Sequence, residues 1–119
     1  MRKFLKSKIH GIKVTGKKID YEGSIVIDKK IMSEAEIEPY EIVYVVNVCN
    51  GERFETYALP GEEGECTLLG GAARRVEIGD KLLVFSYIYA EKRENRFLQE
   101  STSFNRRKKE KFEGGIEEV

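Results

Sequence analysis

Two stretches of this chain set reactive groups side by side. In Tyr21-Glu22-Gly23-Ser24 a serine directly follows a glycine carbonyl. Gly23 has no Cβ to shield that carbonyl and can take backbone angles that other residues avoid, so the bond is open to attack by Ser24 Oγ. In Arg53-Phe54-Glu55-Thr56-Tyr57 a guanidinium and a phenol stand four residues apart, which on a strand puts both on one face. Lys8 and His10 share the spacing of strand neighbours that project on the same side. A guanidinium or ammonium holds a carboxylate, and a phenol can move a proton.

Each of these has a plainer reading. Gly-Ser pairs mostly mark turns. Lysine is usually solvated, and a single histidine is usually a hydrogen-bonded structural group. Arg53 over a half-buried Tyr57 is an ordinary surface pair of a hairpin.

The elements that must carry these groups follow from periodicity. Residues 3–15 read as a strand whose apolar parity changes, from Leu5 and Ile9 to Ile12 and Val14, with a bend or bulge at Gly11. Gly16-Lys17-Lys18 reads as a turn, and 19–28 as a strand with Ile19, Tyr21, Ile25 and Ile27 on one face and Ser24 on the other. Asp28 can cap a short helix over 29–37, with Ile31, Met32 and Ala35 on one face and Pro39 beyond its end. Ile42 to Val48 is a β-branched strand, Asn50-Gly51 a hairpin turn, and Glu52 to Leu59 the return strand. On that return strand Arg53, Glu55 and Tyr57 face one way and Phe54, Thr56 and Ala58 the other.

Residues 60–64 read as a loop, Cys66 to Leu69 as a short strand, and Gly70-Gly71-Ala72-Ala73 as a small-residue segment that either lets backbone approach a ligand, its N–H groups suited to a carboxylate, or serves tight chain crossing. Lys81 to Tyr89 is the last clear strand. From residue 90 to 119 charge dominates, with Arg106-Arg107-Lys108-Lys109 beside an acidic end, and a solvated tail is expected. Short strands, a hairpin and a short helix make a small, mainly β barrel the expected fold.

Composition narrows the functions. The 119 residues suit one domain with a single core. Twenty-one basic and 21 acidic residues leave no net field for nucleic acid or an anionic membrane, so recognition of charge must be local. No apolar run reaches the roughly 20 residues of a membrane span, and the N-terminus lacks a signal peptide's apolar region, so the cytoplasm is expected. Cys49 and Cys66, with one histidine in the chain, indicate neither a disulfide framework nor a zinc site.

In order and spacing, Lys8-Ile9-His10-Gly11, Tyr21-Glu22-Gly23-Ser24, the run Asn47 to Ala58, Gly71-Ala72-Ala73 and Val76 to Asp80 closely resemble the pyruvoyl-dependent aspartate 1-decarboxylases, from about Arg2 to Tyr87. The resemblance implies a double-psi β-barrel with one or two short helices, assembled as a homotetramer with active sites at subunit interfaces. It implies self-cleavage between Gly23 and Ser24 into chains 1–23 and 24–119, and a covalent pyruvoyl group made from Ser24, with no metal and no pyridoxal phosphate. Decarboxylation leaves electrons on Cα, and ordinary side chains offer no sink for them; the pyruvoyl ketone, joined to the substrate amine, provides one.

By the same resemblance Tyr57 is the proton donor, Lys8 and Arg53 bind the substrate carboxylates, and Thr56 serves self-cleavage and substrate contact. Gly71, Ala72 and Ala73 line the pocket, with His10, Tyr21 and Glu22 in support. The expected reaction is L-aspartate to β-alanine and carbon dioxide, for pantothenate synthesis. The chain departs from the family at Gly70, where an asparagine usually precedes Gly-Ala-Ala, and the segment before it is one residue shorter. The loss removes an amide donor and acceptor. If backbone donors still hold the pocket, Gly70→Asn is expected to be neutral or helpful. Two other readings stay open: the same cofactor with a shifted amino-acid preference, and a non-catalytic barrel that serves as a binding module.

Overall fold

Strands form where β-branched residues cluster, and they break at glycines and polar turns. A computed structural model describes residues 1–91 and 116–117. Eight strands form one hydrogen-bonded row: β1 (Arg2–Lys13), β2 (Gly16–Lys18), β3 (Ser24–Asp28), β4 (Ile42–Asn47), β5 (Arg53–Gly61), β6 (Cys66–Leu69), β7 (Lys81–Ala90) and β8 (Ile116–Glu117). Their order across the row is β2-β6-β3-β5-β4-β7-β1-β8. Helix α1 (Lys29–Glu34) and a 3-10 helix, η1 (Gly70–Arg75), complete the set.

The row curls because Thr15, just past β1, donates its N–H to the Cys66 carbonyl of β6, while Val14 bonds to Asp80 before β7. Those bonds tie the two halves of the row together, as a small mainly β barrel requires. The interior holds Ile9, Ile12, Val14, Ile25, Ile27, Val43, Val45, Leu68, Leu82 and Val84, all buried. Each such side chain contributes about 1.5–3 kcal/mol on burial.

Several expectations are met in detail. β1 is bulged between His10 and Ile12, and Gly11 takes φ +83 there. That is why Ile9 and Ile12 both point inward. Asp28 caps α1, accepting from the Lys30 N–H. The β4–β5 hairpin pairs Ile42 with Tyr57 and Val46 with Arg53, and Gly51 lies in its connection at φ +78, although that connection spans 48–52 and not Asn50-Gly51 alone, since Val48 and Glu52 fall outside the strands.

Four expectations are corrected. Gly16–Lys18 is a strand, not a turn, because it pairs in parallel with Thr67–Leu69. Residues 19–23 are not strand but a bend, leaving Ile19 and Tyr21 exposed; β3 begins only at Ser24, where pairing with β6 becomes possible. The helix stops at Glu34 and is capped at Ala35, after which Glu36 turns to φ +58. Pro60 and Gly61 continue β5, paired with Ile27 and Asp28, so the loop is shorter than the 60–64 reading. The charged tail expected from residue 90 lies outside the described residues except for Ala90, Glu91 and β8, which pairs with Lys8 and Ile9 of β1.

Candidate active site

The Gly23-Ser24 bond sits where the exposed bend enters the barrel wall. Ser24 is the first residue of β3, is 1% exposed, and pairs with Leu69 of β6. Gly23 is exposed and lies outside the left-handed region of φ. On the other flank, β3 runs parallel to β5 with Ile25 opposite Ala58. Continued back one residue, to the start of β3, that register sets Ser24 beside Tyr57, one strand spacing of about 4.8 Å away. Ile25 and Ala58 face the core, so Ser24 and Tyr57 share the opposite face.

β5 alternates as its sequence demands. Arg53 and Glu55 are exposed, Tyr57 is half-buried, and Phe54, Thr56 and Ala58 lie on the inner side. Tyr57 stacks on Tyr40, with ring centroids 5.7 Å apart and 23° between planes. Tyr40 adopts φ +69, a conformation that bulky residues rarely take. Its N–H donates to the Ala58 carbonyl, and Ala58 donates to Glu41, so the segment is laced to β5 beside Tyr57. Sequence reasoning missed Tyr40, because nothing in its local pattern signals a left-handed aromatic.

Lys8 and His10 are both half-buried on β1. Lys8 lies opposite Phe85, with its ammonium 5.7 Å from the ring centre. They are not beside β5. The chain of pairs Lys8–Phe85–Tyr44–Glu55 separates them by three strand spacings, about 14 Å along the sheet. The register therefore sets Ser24 near Tyr57, with Thr56 the adjoining residue on the other face of β5 and Arg53 further along the face of Tyr57, and leaves Lys8 and His10 across the sheet. Tyr21 and Glu22 are exposed on the bend, where the Lys18 ammonium lies 5.4 Å from the Tyr21 ring centre.

η1 follows β6 without a break. Gly71 is exposed, Ala72 half-buried and Ala73 fully buried, so the small residues serve packing as well as approach. Gly70 is buried at φ +69, and a Cβ there would meet Tyr21 O at 2.5 Å and Gly23 N at 2.7 Å. That corrects the expectation that asparagine at 70 would be neutral or helpful, since its first side-chain carbon has no room. A cleft of about 420 Å³ lined by Lys18, Tyr21, Val26, Thr67 and Leu69 opens beside the bend. A larger groove of about 560 Å³ lies elsewhere, between α1 and the ends of β1 and β7. Neither is lined by Lys8, Arg53 or Tyr57.

Two polar clusters hold these elements in place. Asn47, fully buried, donates to Asp80 Oδ2 at 2.8 Å and to the Arg75 carbonyl at 3.1 Å, while Cys49 N–H donates to its Oδ1 at 2.9 Å. It thus ties the hairpin that carries Arg53 to the far end of η1. The Asn47 amide, with the Glu77 N–H second, holds the Asp80 carboxyl below the usual carboxylate range. At a second β1 bulge, between Leu5 and Ser7, the Lys6 ammonium turns inward to Glu41 at 3.3 Å and to the Glu36 carbonyl. Ser86 completes that cluster by donating to Glu41. A lysine in an alternating run carries no sequence signal of burial, so this cluster went unforeseen.

The sequence matches the aspartate decarboxylase family over residues 1–110. An aspartate 1-decarboxylase of Haloquadratum walsbyi is 56% identical over 86 residues, spanning 72% of this chain and 75% of that protein. One from Kosmotoga olearia is 55% identical over 84 residues, 69% of this chain and 73% of its own. One from Christiangramia forsetii is 49% identical over 102 residues, 84% of this chain and 88% of its own.

Proposed function

This chain belongs to the aspartate decarboxylase family, and we propose that it cuts itself between Gly23 and Ser24 and then converts L-aspartate to β-alanine and carbon dioxide. The observation that carries the reading is the placement of a buried Ser24 at the mouth of β3, directly after an unshielded glycine carbonyl and one strand from Tyr57.

Self-cleavage begins when Ser24 Oγ adds to the Gly23 carbonyl carbon. The C–N bond breaks, and the Ser24 nitrogen takes up the proton lost from Oγ, leaving an ester. Removal of the Ser24 Cα proton then expels the Gly23 carboxylate from Cβ. The unsaturated residue adds water and releases ammonia, so chain 24–119 begins with a ketone. Thr56, next to Tyr57 on β5, is the hydroxyl suited to steady the carbonyl during attack.

That pyruvoyl ketone supplies the electron sink that amino-acid decarboxylation needs. The residues around Ser24 fit it: β6 and β5 flank β3, and the phenol of Tyr57 stands on the face of β5 that Ser24 shares. Arg53 grips one substrate carboxylate through two parallel hydrogen bonds, and Lys8 meets the other. The Tyr57 hydroxyl returns a proton to Cα, and Tyr40 holds the ring in position. Gly71, Ala72 and Ala73 bound the pocket, with His10, Tyr21 and Glu22 at its edge.

The processed protomers assemble as a cytoplasmic homotetramer in which the site is shared. Support comes from the 14 Å separation of Lys8 from β5, which outward splay on a convex barrel face widens. Exposed Ile42 beside half-buried Tyr44 and Phe85 makes the intervening face apolar. Packing β1 of one protomer near β5 of another would unite the two cations. Among the described residues no helix is long and apolar enough to cross a membrane.

Intact mass of purified protein tests the reading. Two chains divided at Gly23-Ser24 are expected, the larger lighter by one ammonia than hydrolysis alone would leave it, with Ser24→Ala remaining one chain. Two-chain material from Ser24→Ala would assign the cut to a protease.

A further inference from the structure

We infer that Gly70 is a positioning residue for self-cleavage, holding the backbone that presents the Gly23 carbonyl to Ser24; this rests on the processing reading above. Two chain segments cross here in direct contact. β6 pairs Leu69 with Ser24, so the next residue, Gly70, falls against the segment just before the scissile bond. A Cβ built on Gly70 would lie 2.5 Å from Tyr21 O, 2.7 Å from Gly23 N and 2.8 Å from Gly23 Cα. All three are backbone atoms, which cannot swing away as a side-chain tip can. Gly70 also sits at φ +69, where residues with a Cβ are strained.

The neighbouring glycine sharpens the point. A Cβ on Gly71 would meet nothing within 4 Å, so the demand for bare backbone belongs to position 70 and not to the whole small-residue run. Gly23 is itself 3.9 Å from the Leu69 carbonyl by the same measure, ordinary contact, so the tightness comes from the Gly70 side.

The consequence is geometric. Ser24 is held by its pairing with Leu69, while Tyr21 to Gly23 rest on Gly70. A side chain at 70 displaces the second group and not the first, and so shifts the carbonyl relative to the hydroxyl that must attack it. A misplacement of this order slows a positioned reaction by about 10- to 100-fold. The space at Gly70 is filled by the scissile backbone, so the glycine opens no room for a larger substrate.

Asparagine and alanine at 70 separate the two possible causes. Asparagine tolerates a left-handed backbone better than alanine but brings the same Cβ. Contact with Tyr21 and Gly23 slows both; backbone strain alone would spare asparagine.

The test is the half-time of cleavage, followed by intact mass on freshly purified protein, for wild type, Gly70→Ala, Gly70→Asn and, as a left-handed glycine with open space around it, Gly51→Ala. Both position-70 variants should cleave at least tenfold more slowly, and Gly51→Ala within threefold of wild type. Each change is also made on the Ser24→Ala background, where no cleavage occurs and the melting temperature reports the fold alone. Cooperative melting should persist there. Position-70 variants that cleave as fast as wild type, or asparagine cleaving normally while alanine does not, would overturn the contact role. Loss of cooperative melting would overturn it too, by making Gly70 a folding residue. A wild type that never cleaves would remove the processing reading and this role with it.

Discussion

Replacing Tyr57 by phenylalanine separates the chemistry of β5 from its packing. The ring stacks on Tyr40 at 5.7 Å and 23°, a contact worth about 0.5–1.5 kcal/mol that phenylalanine keeps. Only a hydroxyl on a half-buried ring is lost, which places the stability change within about 0.5 kcal/mol. In a chain of this size that moves the melting temperature by no more than about 3 °C. Loss of a positioned proton donor instead costs about 10²- to 10⁴-fold in rate, or roughly 2.7–5.4 kcal/mol on the barrier. The two magnitudes differ by enough to be told apart in one experiment. Release of β-alanine is measured at saturating aspartate on fully cleaved protein, with KM determined alongside. Tyr57→Phe should cleave itself normally, bind aspartate nearly as well, and turn over at least a hundredfold more slowly. The companion Tyr40→Ala removes the stack and keeps the phenol, and should lower kcat less than tenfold while lowering the melting temperature by a few degrees. A Tyr57→Phe enzyme with kcat within threefold of wild type, or a Tyr40→Ala enzyme slower than it, would refute the assignment of proton donor.

Other perturbations follow from the same geometry. Arg53→Lys keeps the charge but loses the two-pronged grip, so KM for aspartate should rise about tenfold or more with kcat little changed; an unchanged KM would return Arg53 to the surface. Glu41→Ala strands the inward-turned Lys6 ammonium with the Glu36 carbonyl and should cost about 2–3 kcal/mol in denaturant unfolding, whereas the paired change Lys6→Met with Glu41→Leu should recover most of it. The Asp80 carboxyl is held low by Asn47, so the stability it lends is present above the ordinary carboxylate range and is lost as pH falls through its lower folded value. Melting temperatures of wild type and Asp80→Asn should therefore differ at neutral pH and converge in acid; a gap constant with pH would contradict this. Burial, with Glu65 second, pushes the Cys66 thiol up to about 12, while Cys49 is exposed. A thiol reagent at pH 8 should count one thiol in the native protein and two after unfolding.

The β4–β5 hairpin, the cap at Asp28, the bulge at Gly11 and the strand at Cys66–Leu69 were legible in the sequence, because each depends on neighbours within a few residues. The same locality made the reactive groups legible: Gly23-Ser24 is a chemical statement about two adjacent residues, and the shared face of Arg53 and Tyr57 follows from a period of two. What failed depended on partners far along the chain. Gly16–Lys18 is a strand only because Thr67–Leu69 lies beside it, and Ile19 and Tyr21 leave the strand pattern because nothing pairs with them. The register of β3 against β5, which brings Ser24 to Tyr57, is a parallel pairing across more than thirty residues and has no local signature. The same is true of the gap between Lys8 and β5, of the inward turn of Lys6, and of Tyr40 at its left-handed φ. Gly70 shows the division most sharply. From the sequence it looks like a missing amide, at the head of a small-residue run that suits either ligand approach or tight chain crossing. In the fold it is a surface against which Tyr21 and Gly23 rest, because two backbones separated by nearly fifty residues approach too closely there for a Cβ to fit between them.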